Sequence, residues 1–305
     1  MSLVELALRK MQAGAKSPPA RARESAAPGS TATTGPKLAQ GVVGEVVHAP
    51  RPADHSAAAL HRSDKFVRID RDALRTQGLM PPEQQERVLA DQYRHIKRPL
   101  IARATGRGAE PVPRGQLIMM ASAMPGEGKT FTSINLALSM ALEKDVSVLL
   151  VDADVPKPHI SRTFGVENEP GLLDVLRDEA ANVESLILTT DVPGLNVLSV
   201  GRRSENATEL LSSARMDEAM SQLVRNDPTR IVLIDSPPLL LTSEASALAQ
   251  CAGQVVVVIR AGFTPQQAVL DALGYLGENK QVGLVLNQSL NAPVAGYYYG
   301  YGDPR

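Results

Sequence analysis

The chain has 305 residues and a formal net charge of −1 at pH 7, from 32 basic and 33 acidic side chains. This balance gives no electrostatic reason to expect nucleic-acid binding, and the single cysteine excludes an internal disulfide and is typical of a reducing compartment. No apolar run approaches the ~20 residues that span a bilayer, and the first residues lack the basic and apolar regions of a signal peptide. We therefore expect a soluble cytoplasmic protein.

Residues 1–63 are predicted to form a short helix followed by a tether. Residues 2–12 place leucine and alanine on one side of a helix, and Ser2 and Glu5 have the spacing of a capping box. Residues 13–60 are rich in Ala, Pro, Gly, Ser and Thr and poor in large apolar side chains, so burial cannot offset the entropy of ordering them. We expect this tether to be disordered.

Residues 64–110 are predicted to be a helical linker or oligomerisation segment. A short extended piece is expected at 66–69. A helix is expected from 82 to about 104, broken at Pro99, because proline lacks the amide N–H that a helix interior requires.

One side of this predicted helix carries charge. Asp91, Arg94 and Lys97 step by three residues and are predicted to form one charged ridge. The spacing alone fits two interpretations about equally, an assembly surface or a solvated helix face.

Residues 111–290 are predicted to be an α/β domain with a P-loop NTPase fold. Aliphatic runs alternate with helical patterns, and runs that are apolar at every position are typical of strands buried on both faces. This pattern predicts a mostly parallel sheet covered by helices on both faces, with ligands at the carboxyl ends of the strands. The predicted strands are 117–121, 146–151, 195–200, 231–234, 255–259 and 282–286.

The first of these strands leads into the phosphate loop, A-S-A-M-P-G-E-G-K-T at 121–130, which a helical pattern follows. This is the context of a phosphate-binding loop, although Ala123 replaces the usual first glycine. The glycines let backbone N–H groups point at a phosphate, and the start of the helix adds its own unpaired N–H groups. The predicted nucleotide-binding residues are Pro125, Gly126, Glu127, Gly128, Lys129, Thr130 and Phe131, and Lys129 is also predicted to be catalytic.

Two predicted strands end in aspartate. Asp152 and Asp154 follow one strand, and Asp235 follows another. Because Mg²⁺ prefers carboxylates, a hydroxyl and phosphate oxygens, Thr130, Asp154 and Asp235 are the predicted metal ligands, directly or through water. Asp152 is left to take a proton from an incoming hydroxyl. All three aspartates are therefore predicted to be catalytic.

Two later strand ends, at Arg260 and Asn287, are predicted to bind the nucleotide base. An asparagine side chain offers a donor and an acceptor, which matches an adenine edge. Taken alone, an asparagine at the end of a strand is more often a turn residue.

The tail at 291–305 holds four of the six tyrosines in the chain, with glycine and proline around them that argue against a helix or strand. One interpretation is a sticky segment that folds onto an apolar groove. The other is a phosphoryl acceptor, which a phosphate-transfer site in the same chain favours. The predicted acceptors are Tyr297, Tyr298, Tyr299 and Tyr301.

These motifs together resemble a bacterial tyrosine kinase of the exopolysaccharide type, and above all the stand-alone autokinases of exosortase gene clusters. The resemblance covers about residues 80–305. It rests on the phosphate loop, the tyrosine tail and four strand ends, V-D-A-D at 151–154, I-D-S-P-P at 234–238, R-A-G at 260–262 and V-L-N at 285–287.

The resemblance implies a kinase that uses ATP and Mg²⁺ to phosphorylate its own tail. In that family Lys129 would contact the phosphates, Thr130, Asp154 and Asp235 would lie at the metal, and Asp152 would be the base.

The resemblance also implies partners. Such kinases form homo-oligomeric rings through a Glu-x-x-Arg-x-x-Arg helix, which Asp91, Arg94 and Lys97 approximate, and the tail of one subunit enters its neighbour's site. A separate membrane polysaccharide co-polymerase would recruit the chain to the inner face of the membrane and activate it, and a tyrosine phosphatase would reverse the modification.

Two other functions share the sheet and the phosphate loop. Positioning ATPases of the MinD/ParA type carry a second lysine early in the loop, where this chain has alanine or serine, and they lack a tyrosine tail. The other is a nucleotide-binding adaptor whose tail recruits partners.

Overall fold

The computed structural model describes residues 66–277 and 280–289. The helix and tether predicted at 1–63 and the tail at 291–305 lie outside the described residues. In the part that is described, no helix is long and apolar enough to cross a bilayer.

The described residues form one sheet of eight strands. Its strands are β1 (Phe66–Val67), β2 (Leu117–Ser122), β3 (Ser147–Asp152), β4 (Leu188–Thr190), β5 (Leu195–Leu198), β6 (Arg230–Asp235), β7 (Gln254–Arg260) and β8 (Gln281–Asn287). Their spatial order is β1-β4-β5-β3-β6-β2-β7-β8. Neighbours are parallel except for β4 and β5, which pair antiparallel, so the predicted mostly parallel sheet is confirmed.

Helices connect these strands. They are α1 (Arg71–Thr76), α2 (Glu83–Thr105), α3 (Lys129–Met140), α4 (His159–Thr163), α5 (Leu172–Arg177), α6 (Ala207–Leu211), α7 (Ala214–Asn226), α8 (Ser243–Cys251) and α9 (Gln266–Gly274), with a 3₁₀ turn at Val183–Leu186. Each of the six predicted strands is found within a residue or two of its predicted ends. β4 was not predicted, because three residues are too few to show a pattern.

Both faces of the sheet are covered by helices, as the apolar runs predicted. In β2, Leu117 and Met119 pack into one core, which includes the apolar side of α7. Ile118 and Met120 point to the opposite core, which includes α3. Alternate residues of one strand thus supply two separate cores, which fixes the register of the strand at the centre of the sheet.

The break predicted at Pro99 is wrong, because α2 continues through it. Proline leaves the carbonyl of His95 without its helical donor. Both residues are exposed, so water can satisfy that carbonyl. Tyr93 and Leu100 are buried and hold the helix on the domain on both sides of the proline.

The charged ridge predicted on α2 is also wrong, because Lys97 does not share it. Asp91 and Arg94 are exposed and form an ion pair with each other. Lys97 is only 4% exposed, and its Nζ donates to O of Ser139 at 2.6 Å and lies 2.8 Å from Glu143. Three residues fall about 60° short of a full helical turn, so residue 97 lies about 120° around the helix from residue 91.

The segment before α2 is attached to the domain. Through β1 it joins the edge of the sheet, and N of Ile69 donates to Oδ1 of Asp191 at 2.9 Å. Leu74 is buried, and O of Leu79 accepts a hydrogen bond from Nδ2 of Asn135 in α3 at 2.9 Å. Leu79 therefore ties the segment before α2 to the helix that begins at Lys129.

Candidate active site

The phosphate loop connects β2 to α3 at the carboxyl edge of the sheet. All residues from 125 to 131 except Glu127 line a pocket of about 530 Å³. Gly128 has a φ of 92°, a conformation that strains other residues, and an added Cβ would overlap Nδ2 of Asn287. Position 128 therefore requires glycine for two reasons, its backbone conformation and the close approach of the Asn287 side chain.

Lys129 and Asp235 bring opposite charges together at the start of α3. Lys129 lines the pocket and is 8% exposed. Asp235 is fully buried and accepts hydrogen bonds from Oγ1 of Thr130 and Oγ of Ser133, each at 2.8 Å. Burial raises the pKa of Asp235, while the charge of Lys129 acts in the opposite direction. Ser133 was not predicted, although it shares a helix face with Thr130, three residues earlier.

Asp154 is the aspartate after β3 that lines the pocket. Its Oδ1 accepts a hydrogen bond from N of Lys157, another pocket residue, at 3.1 Å. Burial raises the pKa of Asp154 to about 6, and the charge of Lys129 acts in the opposite direction. The carboxylate of Asp154 thus shares this pocket with Lys129 and Lys157.

Asp152 lies beneath that surface and has no exposed area. Its Oδ2 accepts hydrogen bonds from N and Oγ of Ser161, at 2.8 and 2.7 Å. Burial raises the pKa of Asp152 to about 7, and the charge of Asp235, its partner across β3 and β6, is the second cause. The role of Asp152 as a base stays a prediction. Ser161 was not predicted, since nothing in the sequence links residues nine positions apart.

Arg260 and Asn287, predicted to bind the base, are partners at the ends of β7 and β8. Asn287 lines the pocket, where its Nδ2 donates to O of Glu127 at 2.9 Å and its Oδ1 accepts from N of Gln288 at 2.9 Å. Arg260 does not line it, and its guanidinium lies 4.7 Å from the ring centroid of Phe263. The structure thus brings Asn287 to the phosphate loop and leaves Arg260 outside the pocket wall.

The rest of the pocket wall is largely apolar and was not predicted. It comes from the segment before α2, from the loop after β3 and from the loop after β6. Apolar surface of this kind suits the planar ring of a base or of a tyrosine. The apolar residues of this wall are Leu79, Pro156, Pro237, Pro238 and Leu241, and its polar residues are Lys157, His159, Thr242 and Gln288.

The donors at this site fit a nucleoside triphosphate with Mg²⁺. Among the described residues, no group of three or more His, Cys, Asp or Glu side chains could hold a metal ion by itself. Mg²⁺ bound with nucleotides does not need such a group, since one or two carboxylates act together with phosphates and water. Asp154 offers a carboxylate in the pocket. Thr130 offers a hydroxyl, which donates a hydrogen bond to Asp235.

The predicted acceptors lie outside the described residues, so the structure places none of the four tail tyrosines. They are Tyr297, Tyr298, Tyr299 and Tyr301.

Comparison with known proteins identifies the family. A family model described as an AAA domain matches residues 115–290, more than half of the chain. The tyrosine-protein kinase YwqD of Bacillus subtilis is 33% identical over 218 residues, which cover 70% of this chain and 87% of YwqD. The chain belongs to the bacterial tyrosine-protein kinase family. The resemblance to bacterial tyrosine kinases that was inferred from the motifs is thereby confirmed.

Another member of the bacterial tyrosine-protein kinase family is much longer than this chain. The tyrosine-protein kinase ptk of Acinetobacter johnsonii is 33% identical over 186 residues, which cover 60% of this chain and 25% of that protein. The chain therefore spans about a quarter of the length of ptk. Among solved structures, the BceF tyrosine kinase domain superposes with a TM-score of 0.57 at 28% identity, over 72% of this chain and 86% of that domain.

Proposed function

We propose that this chain is a protein-tyrosine autokinase that phosphorylates its own tail, in trans within an oligomer. The pocket in which Lys129, Asp154 and the phosphate loop meet is the observation that carries the proposal. ATP with Mg²⁺ would supply the phosphoryl group and neutralise part of the charge on it. The acceptors are Tyr297, Tyr298, Tyr299 and Tyr301.

Lys129 is proposed to stabilise the charge that develops on the transferred group. Phosphoryl transfer depends mainly on positioning and on electrostatic stabilisation. Lys129 is largely removed from water, so its charge is little screened. The N-terminus of α3, which begins at this residue, adds unpaired N–H groups that favour an anion.

The aspartates are proposed to divide two tasks. Asp154, Asp235 and Thr130 would hold Mg²⁺, directly or through water. Asp152 accepts the proton of the tyrosine hydroxyl, for which a pKa near neutral is well suited. Because Asp152 has no exposed surface, it has to gain access to the pocket for this transfer. Asp152→Asn is then expected to reduce phosphorylation and spare nucleotide binding, whereas Asp235→Asn is expected to weaken Mg²⁺-dependent binding.

The length of the tail permits it to enter a neighbour's site and does not exclude the chain's own site. It follows Asn287, which itself lines the pocket. The 12 residues from Asn287 to Tyr299 span at most about 40 Å when extended. Each phosphate adds roughly −1.5 to −2 charges, so a phosphorylated tail is expected to leave a site that already holds carboxylates and nucleotide phosphates.

We place this reaction in exopolysaccharide synthesis or export. A membrane polysaccharide co-polymerase is proposed to recruit the chain to the inner face of the cytoplasmic membrane and to activate it. A tyrosine phosphatase is proposed to reset the tail. These proposals rest on the family resemblance and need binding assays with each partner.

Mass spectrometry after incubation with Mg²⁺ and ATP tests the kinase assignment. The expected result is phosphate on tail tyrosines of the wild-type chain. For the test of transfer in trans, a Lys129→Met chain with an intact tail is mixed with an active chain whose four tail tyrosines are phenylalanine. Label on the Lys129→Met tail supports transfer between subunits. A wild-type chain that binds nucleotide but never carries phosphotyrosine would refute the proposal.

A further inference from the structure

Glu127 is a carboxylate inside the phosphate loop that does not face the pocket. It is 1% exposed, and its Oε2 accepts a hydrogen bond from N of Met124 at 2.7 Å. Its Oε1 accepts a hydrogen bond from Oγ1 of Thr264. A carboxylate turned toward the pocket would repel the phosphates of a nucleotide. These two donors hold the negative charge on the other side of the loop.

Thr264 carries this contact to the end of β7. Its hydroxyl donates to Glu127 and accepts from N of Arg260 at 3.1 Å. Thr264 is 8% exposed, so water competes little for either hydrogen bond. The Glu127 side chain is therefore joined, through one hydroxyl, to the last residue of a strand that belongs to another part of the sequence.

The backbone of Glu127 is joined to the neighbouring strand. Its O accepts a hydrogen bond from Nδ2 of Asn287, the last residue of β8. Arg260 and Asn287 are partners across the two strands, and N of Ala261 donates to O of Asn287 at 2.9 Å. One residue of the phosphate loop is thus tied by its side chain to β7 and by its carbonyl to β8.

We propose that Glu127 and Thr264 are a pair of positioning residues that holds the phosphate loop in its phosphate-binding conformation. Neither is a catalytic residue, because Glu127 faces away from the pocket and acts through the backbone N–H groups of the loop. The inference rests on the proposed nucleotide site. Nucleotide affinity tests it separately from kinase activity, so a chain that binds MgADP and transfers no phosphate would refute the proposed function and leave this inference standing.

The test is the affinity of the full chain for MgADP, measured by titration calorimetry. Thr264→Val keeps the shape of the side chain and removes the hydroxyl. The Kd for MgADP is expected to rise about tenfold, because the loss of one hydrogen bond to a charged group has an effect of this size. Thr264→Ser is expected to restore wild-type affinity. In the kinase assay, KM for ATP should rise more than kcat falls, since the pair acts before the chemical step.

A second variant approaches the same contact from the loop. Glutamine at position 127 can accept one of the two hydrogen bonds but not both, so Glu127→Gln is expected to weaken MgADP binding by a similar factor. The double variant with Thr264→Val should then be little worse than Glu127→Gln alone, because the two side chains form one interaction. Losses that multiply would contradict the proposal.

Another threonine–glutamate hydrogen bond supplies the matched control. Oγ1 of Thr208 donates to Oε1 of Glu244 at 2.7 Å, outside the pocket wall. Thr208→Val is expected to change the Kd for MgADP by less than about twofold. An equal loss in Thr208→Val and Thr264→Val, or wild-type affinity in Thr264→Val, would overturn the proposal. If Thr264→Val does not fold, wild-type affinity in Glu127→Gln would overturn it.

Discussion

The two ends of the candidate site are built in different ways. The phosphate end, defined by Lys129, Thr130, Asp154 and Asp235, presents charge in or just beneath the pocket wall. In the strand-end edge, defined by Arg260, Thr264 and Asn287, the Thr264 hydroxyl and the Asn287 side-chain amide hold the phosphate loop through Glu127. The difference shows that residues at the carboxyl edge of one sheet can serve a ligand directly or serve the loop that binds it.

The largest effect is expected at the phosphate end. Lys129→Met removes the buried charge while keeping a long apolar side chain, so tail phosphorylation should fall by at least about 1,000-fold. The variant should still fold, which cooperative thermal unfolding would show, although the buried Asp235 loses an opposite charge. The exposed Lys144 gives the control Lys144→Met, which should retain full activity. Undiminished phosphorylation in Lys129→Met would show that the phosphate end is not the site of phosphoryl transfer.

The phosphate end could be predicted because its residues follow one another within a short motif or end an apolar strand. The sequence predicted the strands that carry Asp152 and Asp235 to within a residue of their ends. It could not predict the contacts of Glu127 or Ser161, because both depend on residues brought together by the sheet. The predicted break at Pro99 failed for a similar reason, since burial on either side outweighs the local effect of proline.

A second prediction concerns the charge buried beneath the phosphate end. Folding raises the pKa of Asp152 from 3.8 to about 7, so the folded chain holds that proton more tightly than the unfolded chain. Between these pH values the free energy of unfolding therefore falls as pH rises, by at most about 1.4 kcal/mol per unit. Asp152→Asn carries no charge and should be more stable than wild type at pH 8, by at most about 4 kcal/mol if its hydrogen bonds are otherwise kept.

Thermal unfolding without nucleotide or Mg²⁺, at pH 5 and pH 8, measures this effect. The advantage of Asp152→Asn should shrink at pH 5, where much of the wild-type carboxyl is already protonated. Asp145→Asn changes an exposed aspartate and serves as the control. A variant at position 152 that is less stable than wild type at pH 8 would show that the hydrogen bonds from Ser161 outweigh the cost of the charge.

A third prediction separates the two partners of the strand-end edge. Asn287→Ala removes a hydrogen bond to the phosphate loop and a group that lines the pocket, so the Kd for MgADP should rise about tenfold. Arg260→Ala should change the Kd by less than about threefold, because its side chain lies outside the pocket wall and against Phe263. An equal loss of affinity for MgADP in both variants would support the base-binding role that the sequence predicted for Arg260.

The smallest effect on the site is expected where α2 supports the far end of α3. Lys97 donates to O of Ser139 and pairs with Glu143, close to the end of the helix that begins with Lys129. Lys97→Met keeps the apolar stem but leaves that carbonyl without its charged donor, so stability should fall by about 1–2 kcal/mol. Affinity for MgADP should stay within about twofold of wild type, because the phosphate loop keeps its own contacts.

Arg94→Met changes the exposed neighbour on the same helix and completes the comparison. Its ion pair with Asp91 is exposed on both sides, and exposed pairs contribute little to stability. Thermal unfolding should therefore be unchanged. Sedimentation in Mg²⁺ and ATP, at a temperature where both variants are folded, measures assembly. If Arg94 is part of an assembly surface, Arg94→Met should form smaller oligomers, whereas Lys97→Met should form oligomers of wild-type size. Smaller oligomers from Lys97→Met alone would mean that assembly depends on how α2 is seated on α3, and unchanged oligomers in both would make the exposed side of α2 a solvated face.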